Sequence, residues 1–217
     1  MFARFKILPW LLCGSSVIGW AASLPNVHER VAVYLKVDAI QSPPLLRSLK
    51  GELDQIMGQV KRDIVWWNPS VPGAYADSQL VVILTTGNCN APDSETVEPV
   101  PTDKLALAAT QEVNGRILPF ITIYCDRLNS FLAPALRGDP SHQQQRYGRA
   151  MARLMAHELY HFLAQTHGHS HGGVTQRGVT AIELLSTEFR FDHEASSELL
   201  APLLARRAGP ALVHEDQ

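Results

Sequence analysis

The sequence predicts an α+β fold: a single domain with a mixed β-sheet, one helix backing the sheet, and a second long helix late in the chain. Three observations carry this expectation. Residues 27–37 alternate Val31, Val33, Leu35 and Val37 with Ala32, Tyr34 and Lys36, which is the two-residue period of a strand. From residue 45 the apolar positions are Leu46, Leu49, Leu53, Ile56, Met57, Val60 and Ile64. Their three-and-four spacing predicts an amphipathic helix of about five turns lying across the sheet. The same spacing returns at Tyr147, Met151, Leu154, Met155, Leu159 and Phe162, in a helix that runs to about residue 165.

Residues 1–23 stand before the domain. Arg4 and Lys6 make a basic start, a mainly apolar stretch runs from Ile7 to Ala22, interrupted by Pro9, and Ala21-Ala22-Ser23 supplies small side chains for cleavage, so this stretch reads as a signal peptide. It is short, terminal and the only such stretch, which argues against a permanent membrane span; an uncleaved N-terminal anchor is the alternative. Leu12 before Cys13 does not suit lipoprotein processing. Residues 24–217 then form one domain, long enough for a full core. Loss of Arg4 and Lys6 takes the formal charge from −2 to −4. There is no basic run and no interleaving of basic with aromatic residues, so no nucleic-acid partner is expected. The expectation is an exported monomer, extracellular or periplasmic.

Within the domain, Ser42 can cap the first helix and Pro43-Pro44 suit its first turn. Residues 64–67 are a short strand or the end of that helix, stopped by Asn68-Pro69, and 69–78 is loop. Residues 80–84, all apolar, read as a central strand buried on both sides. The polar connection 86–104 holds Asp93, Glu95, Glu98 and Asp103, and their spacing does not match a calcium loop. Residues 105–109 are a strand or short helix, Gly115 breaks the chain, and 117–124 resume strand character with Pro119 at an edge or a strand start. Leu128, Phe131, Leu132 and Leu136 offer a helical turn or two, after which Ser141 can cap the long helix. Thr180 and Glu183 have the spacing of a capping box that opens a helix to about residue 189, and 195–206 forms another, ended by Gly209-Pro210. Cys89 and Cys125 remain after leader cleavage. In an oxidising compartment a disulfide between them is expected, and two lone cysteines so far apart lack the spacing of a zinc knuckle.

The chemistry concentrates in Ala156-His157-Glu158-Leu159-Tyr160-His161, an HExxH sequence. Two histidines four residues apart on a helix share one face, so both imidazoles can reach one metal ion. Glu158, next to the first, can take a proton from water at that metal and return it to a leaving amine. Tyr160, one residue before His161, should face away. The helix leads into Thr166-His167-Gly168-His169-Ser170-His171-Gly172-Gly173, rich in further donors.

His157, Glu158 and His161 resemble the core of the zincin metallopeptidases. The longer run HELYHFLAQTHGHSHGGV is similar to the metzincin branch, where a third histidine follows a glycine turn. That resemblance implies His167, ten residues past His157, as third ligand, although Ala164 stands where the turn glycine is expected and no methionine follows residue 157. The run also resembles small exported bacterial proteins with an HELYH motif followed by a threonine or serine, a histidine and a Gly-Val pair, which implies His169, with Gly173-Val174 after it. Alanine at 164 favours continuation of the helix, Gly168 is then its natural end, and His169 is the first histidine beyond. A further zincin branch takes a downstream helical glutamate, which would be Glu183, but a cap already accounts for that residue. The expected ligand set is His157, His161 and His169, with His167 and Glu183 as alternatives.

The resemblance thus implies a zinc-dependent (Zn2+) metallopeptidase acting on a peptide or protein substrate, with Glu158 as general base and acid. By analogy with the zincins, an edge strand beside the metal, for which 117–124 is the candidate, would take up an extended substrate. Two other readings stand beside it: a catalytically silent zinc-binding interaction domain, and a histidine-rich metal carrier using His167, His169 and His171.

Overall fold

The computed structural model describes residues 28–36, 42–68, 70–71, 75, 77–92, 106–137 and 141–208. The expected leader, the acidic residues Asp93, Glu95, Glu98 and Asp103, and the Gly209-Pro210 stop lie outside them. The fold is α+β. Its elements are β1 (Glu29–Lys36), α1 (Pro43–Gly58), β2 (Arg62–Trp66), β3 (Gln79–Thr86), β4 (Ala108–Val113), β5 (Arg116–Tyr124), α2 (Cys125–Leu136), α3 (Gln143–Ala164), α4 (Ala181–Leu185) and α5 (His193–Ala208). The five strands form one mixed sheet in the order β2-β1-β3-β5-β4. β1 runs parallel to β2 and β3, β3 runs parallel to β5, and β4 is antiparallel to β5.

The helices α1 and α3 share the sheet's inner face. Val31, Val33, Val81, Ile83, Ile121 and Ile123 point into one core with Leu45, Leu49, Leu53 and Met57 of α1 and Met151, Met155 and Leu159 of α3. On the other face Tyr34, Val82 and Thr122 are half-buried, and Leu80 and Phe120 are exposed. This corrects the expectation of a strand buried on both sides at 80–84: β3 alternates, because both long helices lie on one face.

α1 starts as expected, with Leu45 N–H donating to Ser42 Oγ at 3.5 Å and proline in its first turn. It stops at Gly58, earlier than the apolar period suggests. Val60 and Ile64 keep that period while belonging to the turn, where Lys61 is left-handed (φ 59°), and to β2. The long helix α3 is not capped by Ser141; its N-cap is His142, whose ring lies 3.1 Å from Ser141 Oγ and makes no capping bond. The helix predicted to about residue 189 ends at Leu185, though its capping box is present, with both Thr180 and Glu183 side chains bonded.

The edge strand is β4, not residues 117–124. Asn114 (φ 52°) and Gly115 (φ 75°) are both left-handed, the conformation of a tight two-residue hairpin, and they fold β4 back along β5. β5 is therefore interior. Its Pro119 falls where the β4–β5 register shifts, between the Thr110↔Ile121 and Glu112↔Ile117 pairs, and precedes the first β3 pairing at Phe120. Proline is tolerated at such a bulge because no ladder bond needs its missing N–H.

Cys89 and Cys125 are joined in a disulfide, which pins the end of β3 to the start of α2. No helix of the described residues is long and apolar enough to cross a membrane.

Candidate metal centre

The centre is built on the last two turns of α3. Four-residue spacing sets His157 above His161 on one face, and their Nε2 atoms stand 3.0 Å apart. Each ring is held from behind. His157 Nδ1 donates to the Val174 carbonyl at 2.7 Å, and His161 Nδ1 donates to the Thr166 carbonyl at 2.8 Å. A carbonyl can only accept, so the proton sits on Nδ1 in both rings and both Nε2 lone pairs point into the gap. Two lone pairs facing each other at that distance repel unless a cation lies between them. Ligands about 2.0–2.1 Å from a tetrahedral zinc are about 3.3 Å apart, close to the observed separation.

His169 completes the group. Its ring centroid is 5.3 Å from that of His157 and 4.9 Å from that of His161. The three ligand atoms lie within 4.8 Å of one another, and among the described residues no other such cluster of histidine, cysteine or carboxylate side chains is found. His169 is exposed while His161 is buried, so His169 is the ring with freedom to close on a bound ion. Three imidazoles with a fourth position open to the cleft are a donor set that can hold a divalent metal. Burial pushes the His157, His161 and His169 imidazoles below their ordinary pKa, and neighbouring rings push the same way. This favours the neutral form that ligates metals.

The alternatives are placed elsewhere. His167 is exposed, and its Nε2 lies 3.3 Å from Glu112 Oε2 on β4. Glu183 closes the α4 capping box, with Oε2 accepting from Thr180 N–H at 2.7 Å and Thr180 Oγ–H at 2.8 Å. Tyr160 packs its ring against His161, with centroids 5.5 Å apart, and donates its hydroxyl to the Glu198 carboxylate of α5.

The turn that frees His169 differs from the expectation. α3 ends at Ala164, beside the expected residue 165, but the turn that closes it falls at Gln165, which is left-handed (φ 50°), and not at Gly168. Thr166 N–H reaches back to the His161 carbonyl and Gln165 N–H to the Phe162 carbonyl, the two bonds of a Schellman-type end. Glutamine takes the place of glycine because its side-chain amide is doubly held, donating to the Phe162 carbonyl at 2.7 Å and to the Ile117 carbonyl of β5 at 3.1 Å.

Glu158 is 8% exposed, and its Oε2 accepts from Thr110 Oγ1 at 2.5 Å. Burial raises its carboxyl above the ordinary range, although the Thr110 hydroxyl and His161 pull it down. Sequence reasoning missed Thr110. The signal was present in Asn114-Gly115, which marks a hairpin and so makes 108–113 its first strand. The histidines and Glu158 open on a cleft of about 550 Å³, with an apolar side formed by Leu107, Phe131, Val179, Leu184 and Phe189. No family model, no curated protein and no solved structure matches this chain.

Proposed function

We propose that the chain is a zinc-dependent hydrolase of peptide bonds, with His157, His161 and His169 as ligands and Glu158 as the group that moves the proton. The observation that carries this reading is the shared opening. Three clustered imidazoles, two of them with Nε2 presented from α3, and a buried carboxylate on that helix face one cleft with an apolar side, beside the edge strand β4. The resemblance of HELYH to the zincin motif supports the same reaction class.

Bound zinc would supply Lewis acidity toward a carbonyl oxygen and toward water. Glu158 takes the proton of the attacking water and delivers it to the leaving amine. A carboxyl raised by burial suits a group that must both accept and donate near neutral pH. Thr110 holds that carboxylate in place from β4. The open side of β4 offers main-chain N–H and C=O groups to an extended peptide, and the apolar wall accommodates one of its side chains.

The test is Glu158→Gln. The amide keeps the shape and cannot act as a base, so the variant should retain zinc and lose peptide hydrolysis by roughly 10²-fold or more. A broad peptide library is the right substrate. Equal activity in the two proteins removes Glu158 from the mechanism. A wild type that holds one zinc and cleaves nothing in the library would instead point to the silent-domain reading. The carrier reading requires several loosely held ions, whereas the placement of His167 against Glu112 supports a stoichiometry of one.

A further inference from the structure

A single short loop serves two of the three imidazoles. His169 leads directly into Ser170, and Ser170 is tied across the loop twice to Thr175 and once to Gly172. Ser170 N–H donates to the Thr175 carbonyl at 3.1 Å, the two hydroxyls lie 2.6 Å apart, and Ser170 Oγ–H is also 2.9 Å from the Gly172 carbonyl. Inside the closed segment sits Val174. Its carbonyl receives the His157 Nδ1 proton, and its N–H donates to the Arg190 carbonyl at 3.0 Å. Gly173 provides the positive φ of 71° that the turn needs, in a place where the Arg190 carbonyl leaves no room for a Cβ.

Thr175 is fully buried, at 0% exposure. Burying a hydroxyl is unfavourable unless it is bonded, and a valine of the same shape would fill the space without that cost. The hydroxyl therefore has a use that packing does not explain. It closes on the residue beside His169, while the residue before it orients His157.

We propose that the Ser170–Thr175 hydroxyl pair is the positioning element of the metal site, setting the span of the loop so that His157 and His169 present to one ion together. The proposal rests on the three-histidine metal site argued above and is independent of hydrolysis. His169 is exposed and lies outside any helix, so its ring is in place only for the fraction of time that the loop is. Apparent affinity falls in proportion to that fraction.

The experiment measures zinc dissociation constants by chelator competition on the full chain, the visible spectrum of the cobalt-loaded protein, and the melting of the metal-free protein. Thr175→Val and Ser170→Ala should bind zinc roughly 10–100-fold more weakly, the range seen when an outer partner of a ligand is removed. Their cobalt spectra should depart from that of the wild type. Thr175→Ser, which keeps the hydroxyl and loses a methyl group, should restore both. If Thr175→Val gives no cooperative melting, Ser170→Ala, at a less buried position, decides. Wild-type zinc affinity with an unchanged spectrum in Ser170→Ala overturns the proposal, as does a Thr175→Ser protein as impaired as Thr175→Val. Failure of the site itself reads differently: His157→Ala and His161→Ala would then bind zinc as tightly as the wild type, whatever Thr175 does.

Discussion

Arg153 lies one turn before His157 and is 1% exposed. Its Nε and Nη2 each stand 2.7 Å from Glu52 Oε1 on α1. Nη1 donates to the carbonyls of Glu183 at 3.1 Å and Leu184 at 3.0 Å, at the end of α4, and to Ser186 Oγ at 3.3 Å. The guanidinium also stacks 4.8 Å from the Phe189 ring centroid. One side chain thus joins the helix carrying the ligands to the backing helix and to the wall of the cleft. Arg153→Met keeps the length of the apolar stem and removes the charge. It leaves Glu52, 15% exposed, with Arg149 Nε at 3.5 Å, and it takes the Arg153 donor from the Leu184 carbonyl, while the Glu183 carbonyl keeps the Ser186 N–H and hydroxyl. Removing one member of a buried pair costs about 3–5 kcal/mol. Arg149 relieves part of this and the freed Leu184 carbonyl adds about 1 kcal/mol, so the middle of that range is expected. At about 2–4 °C per kcal/mol for a domain of this size, melting should fall by about 6–20 °C. Circular dichroism melts and urea titration of the metal-free protein measure it. Adding Glu52→Gln to Arg153→Met should recover about half of the loss, because the amide leaves no unpaired charge. A single variant within about 1 kcal/mol of the wild type, about the scale of one ordinary hydrogen bond, or a double variant no better than the single, refutes the reasoning.

Three further outcomes follow from the geometry. His169→Ala should weaken zinc binding by roughly 100-fold or more, past the range of outer-partner changes, while His167→Ala and Glu183→Gln stay near wild type; the reverse order for the two histidines would restore His167 as ligand. The Cys89–Cys125 bridge, with a sequence separation of 36, should contribute about 3–4 kcal/mol on a chain-entropy basis. Thiol titration of the unfolded, unreduced protein should find neither cysteine free, and two free thiols there would contradict the pairing. The Glu183 carboxyl is held below its ordinary range by the Thr180 N–H and then by the Thr180 hydroxyl. Its contribution is therefore complete above the ordinary glutamate pKa and is lost as pH falls through the lowered folded value. The stability difference between wild type and Glu183→Gln should be largest at neutral pH and close in acid, and a pH-independent difference in urea titrations would count against the capping role.

What could be read from the sequence is what local spacing constrains. A helix sets the angle between residues four apart, so His157 and His161 had to share a face and Glu158 had to lie beside them. Ser42, Thr180 and Glu183 act within a few residues of their partners, and their caps were legible for the same reason. Periodicity misled where two elements face one core: Val60 and Ile64 continue the stripe of α1 from a turn and a strand. The choice of His169 was reached through an expected stop at Gly168, yet the helix ends at Ala164, and the residue that makes this possible, Gln165, is held by Ile117 of β5, 48 positions away. Thr110 meets Glu158 across the same separation, and Val174 meets His157 across 17 residues.

The sequence by itself determined the α+β class, the placement of His157, Glu158 and His161 together on α3, and a short set of further candidate ligands. Only the tertiary structure gathered His169, rather than His167 or Glu183, with His157 and His161, and only it placed β4 at an edge of the sheet. The physical reason is that a loop, unlike a helix, has no repeating backbone geometry to fix where its side chains point. The Val174 and Thr166 carbonyls hold the rings of His157 and His161, the Glu112 carboxylate meets His167, and packing of the sheet against α3 is what brings distant groups together.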